Sequence, residues 1–525
     1  MLKHRYLFVF ISGILFSLPF IFPELSIISF FTAVPFFMII FDALKNNRKN
    51  KIIKYTFVFG MSFYLPVYTW FLWMYPMEQT GITPIQSAFI VIAAWLGFSL
   101  MQTFIMLILP VGLKIFRNIY ISEKTKVLFM PVLTAYLYVI LEWTQSWFMS
   151  GLTWAKLSIS QYRNLFFIQS VSVFGTYFTG FIIIFINASI ALYILNKSNK
   201  KNNILIFAAV ILYFANTYFG FFRVIYHEYI ETGAEKQKIT AQVMQGNVSS
   251  YDKWENGAGS SLSIYQKLLE DYSYEKADIC VFPETAIPVS VSRGSSTYEY
   301  LKSLAEENNI TILTGIFYYN PEEDKRYNAI MAFDKNHDFT QPYGKQHLVP
   351  FGEYLPLENI ITKIFPFVTN ISLFDSVITP GENSNVMNIN GINYGGLVCF
   401  DSIFPELARK SVKDGADVLI VVTNDSWFRD SMAIYQHNAQ SVLRAVENNR
   451  YVIRAANTGI SSVISPTGKI ITKSNVFETT VLSANVGVIK NKTIYTLAGD
   501  IILYLAFGYI LFCAILKIKI KNGAP

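Results

Sequence analysis

Charge is scarce in this chain. Of its 525 residues only 15% are Asp, Glu, Lys or Arg, against roughly 25% in an average soluble domain. A single fully solvated globule is therefore excluded. Cysteine is scarcer still, with three residues, Cys280, Cys399 and Cys513. Cys513 lies in an apolar run near the C-terminus, so a disulfide-stapled fold is excluded. If the other two paired, no thiol would remain for chemistry. Cys280 sits inside the apolar run Ile279-Cys280-Val281-Phe282 and reads as an inert strand residue. There is no Walker-type phosphate loop, no His/Cys grouping at zinc spacing, no internal repeat and no low-complexity tract. A chain of this kind is expected to use no ATP, metal or other cofactor. Its substrates must arrive already activated.

What the chain has in excess is apolar and aromatic side chains, 52% and 16%. They concentrate before about residue 222 and after about residue 494. A membrane span needs ~20 apolar residues, and eight stretches qualify: 6–22, 26–43, 55–74, 86–113, 127–147, 167–195, 204–222 and 495–516. The first carries Lys3 and Arg5 ahead of it but no clear small-residue cleavage site, so it reads as a retained span. The net charge of +7 does not point to nucleic acid. The basic residues sit in short loops: Lys3, His4 and Arg5; Lys45, Arg48, Lys49, Lys51 and Lys54; Lys114, Arg117, Lys124 and Lys126; Lys197, Lys200 and Lys201; Lys517, Lys519 and Lys521. This is the alternation of the positive-inside rule. It places both termini in the cytoplasm and the long segment between spans seven and eight outside, in the periplasm where the cell has two membranes.

The expected organisation is a membrane domain at 1–222, a linker at 223–237, an extracytoplasmic α/β domain at 238–490, a last span at 495–516 and a cytoplasmic tail at 517–525. Within 238–490 short apolar runs alternate with helical patterns. Strands are predicted at Ile239–Met244, Asp278–Pro283, Ile310–Tyr318, Asn328–Phe333, Tyr394–Phe400, Val418–Thr423, Tyr451–Ala456, Ser461–Ser465 and Val481–Val486. Helices are predicted at Ser261–Tyr272, Tyr298–Asn308, Glu406–Lys413 and Met432–Asn449.

Three residues in this domain suit acyl transfer. Glu284 ends an apolar run in Val281-Phe282-Pro283-Glu284. Lys345 opens Lys345-Gln346-His347-Leu348-Val349-Pro350-Phe351-Gly352-Glu353. Cys399 lies in Gly395-Gly396-Leu397-Val398-Cys399-Phe400-Asp401. The nucleophilic form of cysteine is the thiolate. Glu284 is placed to take the proton, and Lys345 to favour negative charge on sulfur and on the tetrahedral oxygen that follows.

The surroundings of these residues resemble the nitrilase, or carbon–nitrogen hydrolase, superfamily, which uses a Glu–Lys–Cys triad on an αββα sandwich. With spans on both sides, the whole chain resembles its membrane-embedded apolipoprotein N-acyltransferase family. The matching pieces are Pro283-Glu284-Thr285-Ala286, the run from Lys345 to Glu353 with Tyr354-Leu355-Pro356, Cys399-Phe400-Asp401 with Phe404-Pro405-Glu406, Thr423-Asn424-Asp425-Ser426-Trp427-Phe428, Gln436-His437, Arg444 to Arg450, and Arg454 to Gly459. The resemblance implies Glu284 as general base, Lys345 as electrostatic partner and Cys399 as nucleophile. It makes Glu353 an extra carboxylate of the site, with a capping role as the other reading. Trp254 becomes an aromatic near the entrance or an ordinary packing residue. Phe400 and Asp401 become neighbours that support or bind substrate. His347, inside the lysine motif, reads as structural.

The sequence also departs from the family. Asp401 stands where a Glu is more usual, and Arg429, Asp430 and Met432-Ala433-Ile434 interrupt glycine-rich positions after Phe428. Glu142-Trp143 in the fifth span fits, but Gln145-Ser146 replaces an Arg-Gly. Glu142 reads equally as a functional acid and as an interfacial residue.

The implied reaction takes an acyl chain from a phospholipid onto Cys399 and passes it to the α-amine of an S-diacylglyceryl cysteine at a lipoprotein N-terminus. The protein is expected to act as a monomer in the inner membrane. The segment 360–368, apolar yet interrupted by Pro366, reads either as a lid dipping into the outer leaflet or as a loop packed on the sandwich. Two other functions remain open from sequence: a membrane-tethered amidase using the same triad, and a transporter with a non-catalytic outer domain.

Overall fold

The structure, a computed structural model, describes residues 4–77, 81–122, 127–147, 151, 153–197, 200–233, 237–248, 257–272, 276–334, 341–364 and 378–521. The chain divides into two compact units. One holds 1–72, 91–225 and 498–525; the other holds 73–90 and 226–497.

The first unit is helical. Each of the eight expected stretches is helical over most of its length, with boundaries that differ. Stretch 26–43 is a 3₁₀ turn, Pro23–Phe30, followed by the helix Val34–Lys45. Stretch 167–195 is two short turns and then the helix Tyr177–Leu195. The helix Asn203–Gly233 runs 31 residues, on through 223–233, where the sequence suggested a linker. Its apolar run stops near Phe222, but nothing from Arg223 to Glu231 breaks a helix. Five helical segments among the described residues are long and apolar enough to cross a membrane: Pro23–Lys45, Pro84–Ile115, Tyr177–Leu195, Lys200–Tyr229 and Ile501–Lys521. Lys49–Val67 and Phe129–Trp147 are helices too, but they bury polar groups such as Thr56, Ser62 and Glu142.

Small residues set the helix spacing in this unit. A Cβ on Gly13 would lie 2.0 Å from Ser62 Oγ and 2.7 Å from the Phe59 carbonyl oxygen. The helices Arg5–Ile21 and Lys49–Val67 therefore approach closely, as small-residue contacts allow in membranes. The Asn187 amide donates to the Ser29 carbonyl at 2.8 Å, and its oxygen accepts the Ala33 N–H at 3.0 Å. Glu142, fully buried, accepts the Leu157 N–H at 2.8 Å.

The second unit is a sandwich of two sheets. Its strands are β1 Lys238–Gln245, β2 Ile279–Val281, β3 Ile287–Val291, β4 Thr311–Asn320, β5 Lys325–Phe333, β6 Tyr343–Gly344, β7 Met387–Ile389, β8 Ile392–Val398, β9 Val418–Thr423, β10 Tyr451–Ala456, β11 Ser462–Ile464, β12 Ile470–Lys473 and β13 Thr480–Gly487. One sheet runs β13-β1-β2-β4-β5-β6 with β3 added beside β4, and the other runs β12-β11-β10-β9-β8-β7. The pairs β1–β2, β2–β4, β3–β4, β8–β9 and β9–β10 are parallel, and the others are antiparallel.

Strand alternation assigns the two faces of each strand. Ala241, Val243, Ile279, Val281, Leu313 and Ile330 from one sheet meet Val398, Ile420, Val422, Ile453 and Val463 from the other. The residues between them point outward. Met244, Cys280, Phe282, Ile312 and Met331 are covered by Tyr265, Leu268, Leu301 and Leu304 of the helices Gly257–Asp271 and Ser296–Glu307. The helices Pro405–Lys413 and Met432–Asn448 accompany the second sheet. The result is the expected αββα arrangement. β3, β6, β7 and β12 have no counterpart among the predicted strands; β6 and β7 are only two and three residues long. A Thr-Gly-Lys turn joins β11 and β12: Gly468 has φ +83° and donates to Ser465 O at 2.9 Å.

Candidate active site

Glu284, Lys345 and Cys399 are each delivered from the end of a strand. Pro283 has no N–H to continue the ladder beyond β2, and Thr285 turns at φ +44°. Glu284 leaves the sheet there and is buried, 6% exposed. The adjacent β4 residue must be glycine, because a Cβ on Gly315 would sit 2.5 Å from Glu284 Cα and 2.7 Å from Pro283 O. Lys345 follows β6, held by its N–H on Asn328 O and by its carbonyl accepting from Gly381 N, both at 2.7 Å. Cys399 ends β8 at φ +47° and opens a short 3₁₀ turn, Cys399–Ile403. A non-glycine residue held there costs ~1–3 kcal/mol, a cost met mostly at functional sites.

The side chains converge. Lys345 Nζ lies 2.8 Å from Glu353 Oε2 and 3.5 Å from Glu284 Oε1. The Asn328 amide bridges both carboxylates, donating to Glu284 Oε1 at 2.8 Å and to Glu353 Oε1 at 2.9 Å. Glu284 Oε2 accepts the Asn424 N–H at 2.8 Å, and Glu353 Oε2 accepts the Val349 N–H at 2.8 Å. Both carboxylates are thus aimed by donors from β5, from the end of β9 and from the segment after Lys345. Asn328 drew notice in the sequence only as the start of a strand. Its bridging role was hidden because Asn in an apolar run carries no motif of its own.

Electrostatics follow from this packing. Burial pulls the Lys345 ammonium down, but Glu353, Glu284 and the Cys399 sulfur together hold it well above its ordinary range. It is a fixed cation. Burial pushes the Cys399 thiol up, and the Glu284 carboxylate adds to that, while Lys345 opposes both. The lysine charge is shared with two carboxylates and does not create a resting thiolate. Cys399 rests as a thiol, and its proton must leave as the sulfur attacks. Glu284 is the carboxylate that weighs most on the sulfur.

Asp401 is fully buried and touches no open surface. Its Oδ1 accepts the His347 N–H at 2.9 Å. Its Oδ2 accepts the Tyr343 hydroxyl at 2.8 Å and the Gln346 and Val398 N–H groups at 3.3 Å. It ties the lysine segment to the cysteine turn. The shorter side chain suffices because its partners come to it. Phe400 packs edge-on against Phe404 at 5.1 Å, and the His347 ring stacks on the same Phe404 at 4.1 Å, in keeping with a structural histidine. Trp254 and residues 365–368 of the suggested lid lie outside the described residues. Cys280 and Cys399 are both free. Among the described residues no group of His, Cys, Asp and Glu could hold a metal ion.

A thiol, a carboxylate base and a fixed amine on an αββα sandwich define the carbon–nitrogen hydrolase class. The family profile described as carbon-nitrogen hydrolase matches residues 240–488, and that of the apolipoprotein N-acyltransferase N-terminal domain matches residues 12–189. The chain is 28% identical over 510 residues to the apolipoprotein N-acyltransferase of Geobacter metallireducens, covering 95% of this chain and 92% of that one. It is 30% identical over 414 residues to that of Rickettsia prowazekii, covering 76% and 80%. A solved structure, Saccharomyces cerevisiae Nit3, is similar with TM-score 0.39 and 23% identity, over 48% of this chain and 90% of that one. The chain belongs to the apolipoprotein N-acyltransferase family and is an acyltransferase of the membrane.

Proposed function

We propose that this enzyme transfers a fatty acyl chain from a phospholipid to the N-terminal α-amine of an S-diacylglyceryl-cysteine lipoprotein, through a thioester on Cys399. The observation that carries this reading is the buried Glu284–Lys345–Glu353 cluster beside a free thiol, in a chain of the family just named. Glu284 takes the Sγ proton as sulfur attacks the ester carbonyl. The C–O bond breaks, and the lysophospholipid oxygen takes that proton from Glu284. The lipoprotein amine then attacks the thioester, an amide forms, and the amine's proton returns to sulfur by way of Glu284. Lys345 stabilises the oxyanion of both tetrahedral states. Two substrates use one covalent intermediate in turn, which gives ping-pong kinetics.

Water must be kept from the thioester. The segment carrying Glu353 supports an apolar entrance, since Phe351, Leu357 and Ile360 are 47%, 62% and 53% exposed. We assign eight spans, cytoplasmic termini and an extracytoplasmic catalytic domain of the inner membrane, on the alternation of basic loops.

The test is mass spectrometry of the purified enzyme after incubation with phospholipid. A fatty-acyl mass on the Cys399 peptide is expected, removed by a diacylglyceryl peptide with a free amine and absent from Cys399→Ala. Release of free fatty acid with no adduct on Cys399 would overturn the reading.

A further inference from the structure

Beside the candidate site stands a cation that the triad chemistry does not use. Arg326 lies on β5, two residues before Asn328, whose amide bridges Glu284 and Glu353. Side chains two apart on a strand share a face, roughly 7 Å from one another along it. Arg326, Asn328 and Ile330 therefore share one, and Ile330 lies between the two sheets. On the adjoining β4 the same face carries Gly315, against which Glu284 lies, and then Phe317, paired with Asn328. Arg326 is thus one step beyond the bridging amide, toward the end of the sheet where Glu284 emerges. Its backbone is held on both sides. It pairs with Tyr319 of β4, and its carbonyl accepts the Thr379 N–H at 2.7 Å.

The Arg326 guanidinium lies over the Phe317 ring, 4.3 Å from its centroid. Phe317 is itself buried, so the platform is fixed. An arginine stacked on a ring keeps its in-plane donors for a pair of acceptor oxygens. Here those donors are idle. Nε is enclosed and has no hydrogen-bond partner. Among the described residues the side chain forms no ion pair. The carboxylates of the β4–β5 hairpin are engaged elsewhere. Glu323 accepts the Tyr327 hydroxyl at 2.9 Å and pairs with Lys325 at 3.3 Å, and Asp324 accepts the Tyr319 hydroxyl at 2.9 Å. A half-buried cation left without an anion is unfavourable until one arrives.

We infer that Arg326 binds the phosphodiester of the acyl donor and so sets a preference for phospholipid over uncharged acyl esters. Two phosphate oxygens meet the guanidinium as a fork, the geometry that arginine offers and lysine does not. In a phospholipid the glycerol backbone holds the phosphate roughly 6 Å from the ester carbonyls, through bonds of ~1.5 Å. That span matches the step along β5 from Arg326 to Asn328. A phosphate on Arg326 thus sets an ester carbonyl beside the carboxylates that Asn328 bridges. The acceptor of the proposed transfer carries no phosphate, so Arg326 acts in the first half-reaction.

This inference rests on the proposed acyl transfer, and the experiment separates the two. The full chain in a neutral maltoside detergent is given dipalmitoyl phosphatidylethanolamine or dipalmitoylglycerol, and the acyl mass on Cys399 is followed. The parent should reach half-maximal acylation at about a tenfold lower concentration of the phospholipid, the gain from charge-assisted hydrogen bonds. Arg326→Gln should lose that preference. Arg326→Lys, with the charge but not the fork, should keep only part of it. A parent that takes both donors alike, or Arg326→Gln with the parental preference, overturns the assignment. A parent inhibited by millimolar inorganic phosphate yet indifferent to the donor would make this a site for free phosphate, which overturns it as well. If Arg326→Gln shows no cooperative melting transition, Arg326→Lys decides: a reduced preference upholds the assignment and an undiminished one overturns it. If neither donor leaves an acyl mass on Cys399, the acyl-transfer reading fails, and binding still tests Arg326. A diether phospholipid, which cannot donate an acyl chain, should raise the melting temperature of the parent more than a diether glycerol does. Equal shifts from the two overturn the assignment.

Discussion

A buried carboxylate is tolerated only when its lone pairs are filled, and the way Asp401 fills its own explains what it does. Four donors from the lysine segment, β6 and β8 converge on it. Burial raises its carboxyl to about 6, against the pull of the His347 N–H and of Lys345. The sign follows directly. Above that value the anion gathers its four donors, and as pH falls through it the proton removes the charge they share. Acylation should therefore decline as pH drops below about 6. Asp401→Asn keeps the shape but not the charge. Hydrogen bonds to a charged group are worth ~1.5–3 kcal/mol, so this variant should acylate roughly ten- to a hundredfold more slowly and should no longer show a decline centred near pH 6. Acylation rates of both proteins between pH 5 and 8 check this. An unaltered acid limb in the variant would assign it to another group. Residue type and context singled out Glu284 and Lys345, which lie 3.5 Å apart, and Cys399, whose sulfur feels both. The bridging of Asn328 was not legible, because its two carboxylates come from points 44 and 25 positions away along the chain.

At the scale of elements, sequence pattern predicted strands wherever a run was apolar and bounded. β9 and β10 were placed correctly at both ends. The predicted run Tyr394–Phe400 was cut short, since β8 ends at Val398 and the chain turns at Cys399. The proposed nucleophile sits at that turn, and a left-handed cysteine leaves no mark in apolar periodicity. The same limit hid the reason for Gly315. In sequence it is a glycine inside a strand, which signals weakness or a close approach. In the fold it is the surface against which Glu284 lies, with room for no Cβ. Gly315→Ala must push the β2 end away. Overpacking of this kind costs ~1–3 kcal/mol, and a base displaced by ~1 Å costs on the order of a hundredfold in rate. The variant should melt only slightly below the parent yet lose about a hundredfold in acylation. Thermal melts with the acyl-adduct assay read both numbers. Near-parental acylation would show that the strand ends relax without moving Glu284.

On the scale of the whole molecule, the basic loops are the argument for which side of the membrane each part faces. Apolar helices supply spans but no direction; lysine and arginine supply direction because loops rich in them stay cytoplasmic. Substrate chemistry sets the same requirement from the other end. Both partners of the proposed transfer are anchored by lipid chains, and a thioester without a nucleotide motif needs no cytoplasmic energy source. The orientation is testable with the chain intact. In a Cys399→Ser background the remaining cysteines, Cys280 and Cys513, are buried. Glu306→Cys, on an exposed position of the helix Ser296–Glu307, should then react with a membrane-impermeant maleimide in cells with a permeabilised outer membrane. Lys51→Cys, exposed in the first turn of the helix Lys49–Val67, should react only after the inner membrane is lysed. Equal labelling of both before lysis would place the basic segment outside and overturn the assigned orientation. The reverse pattern would place the catalytic domain on the cytoplasmic side. The acceptor would then have to be modified before export, which conflicts with an acceptor already carrying diacylglycerol in the bilayer.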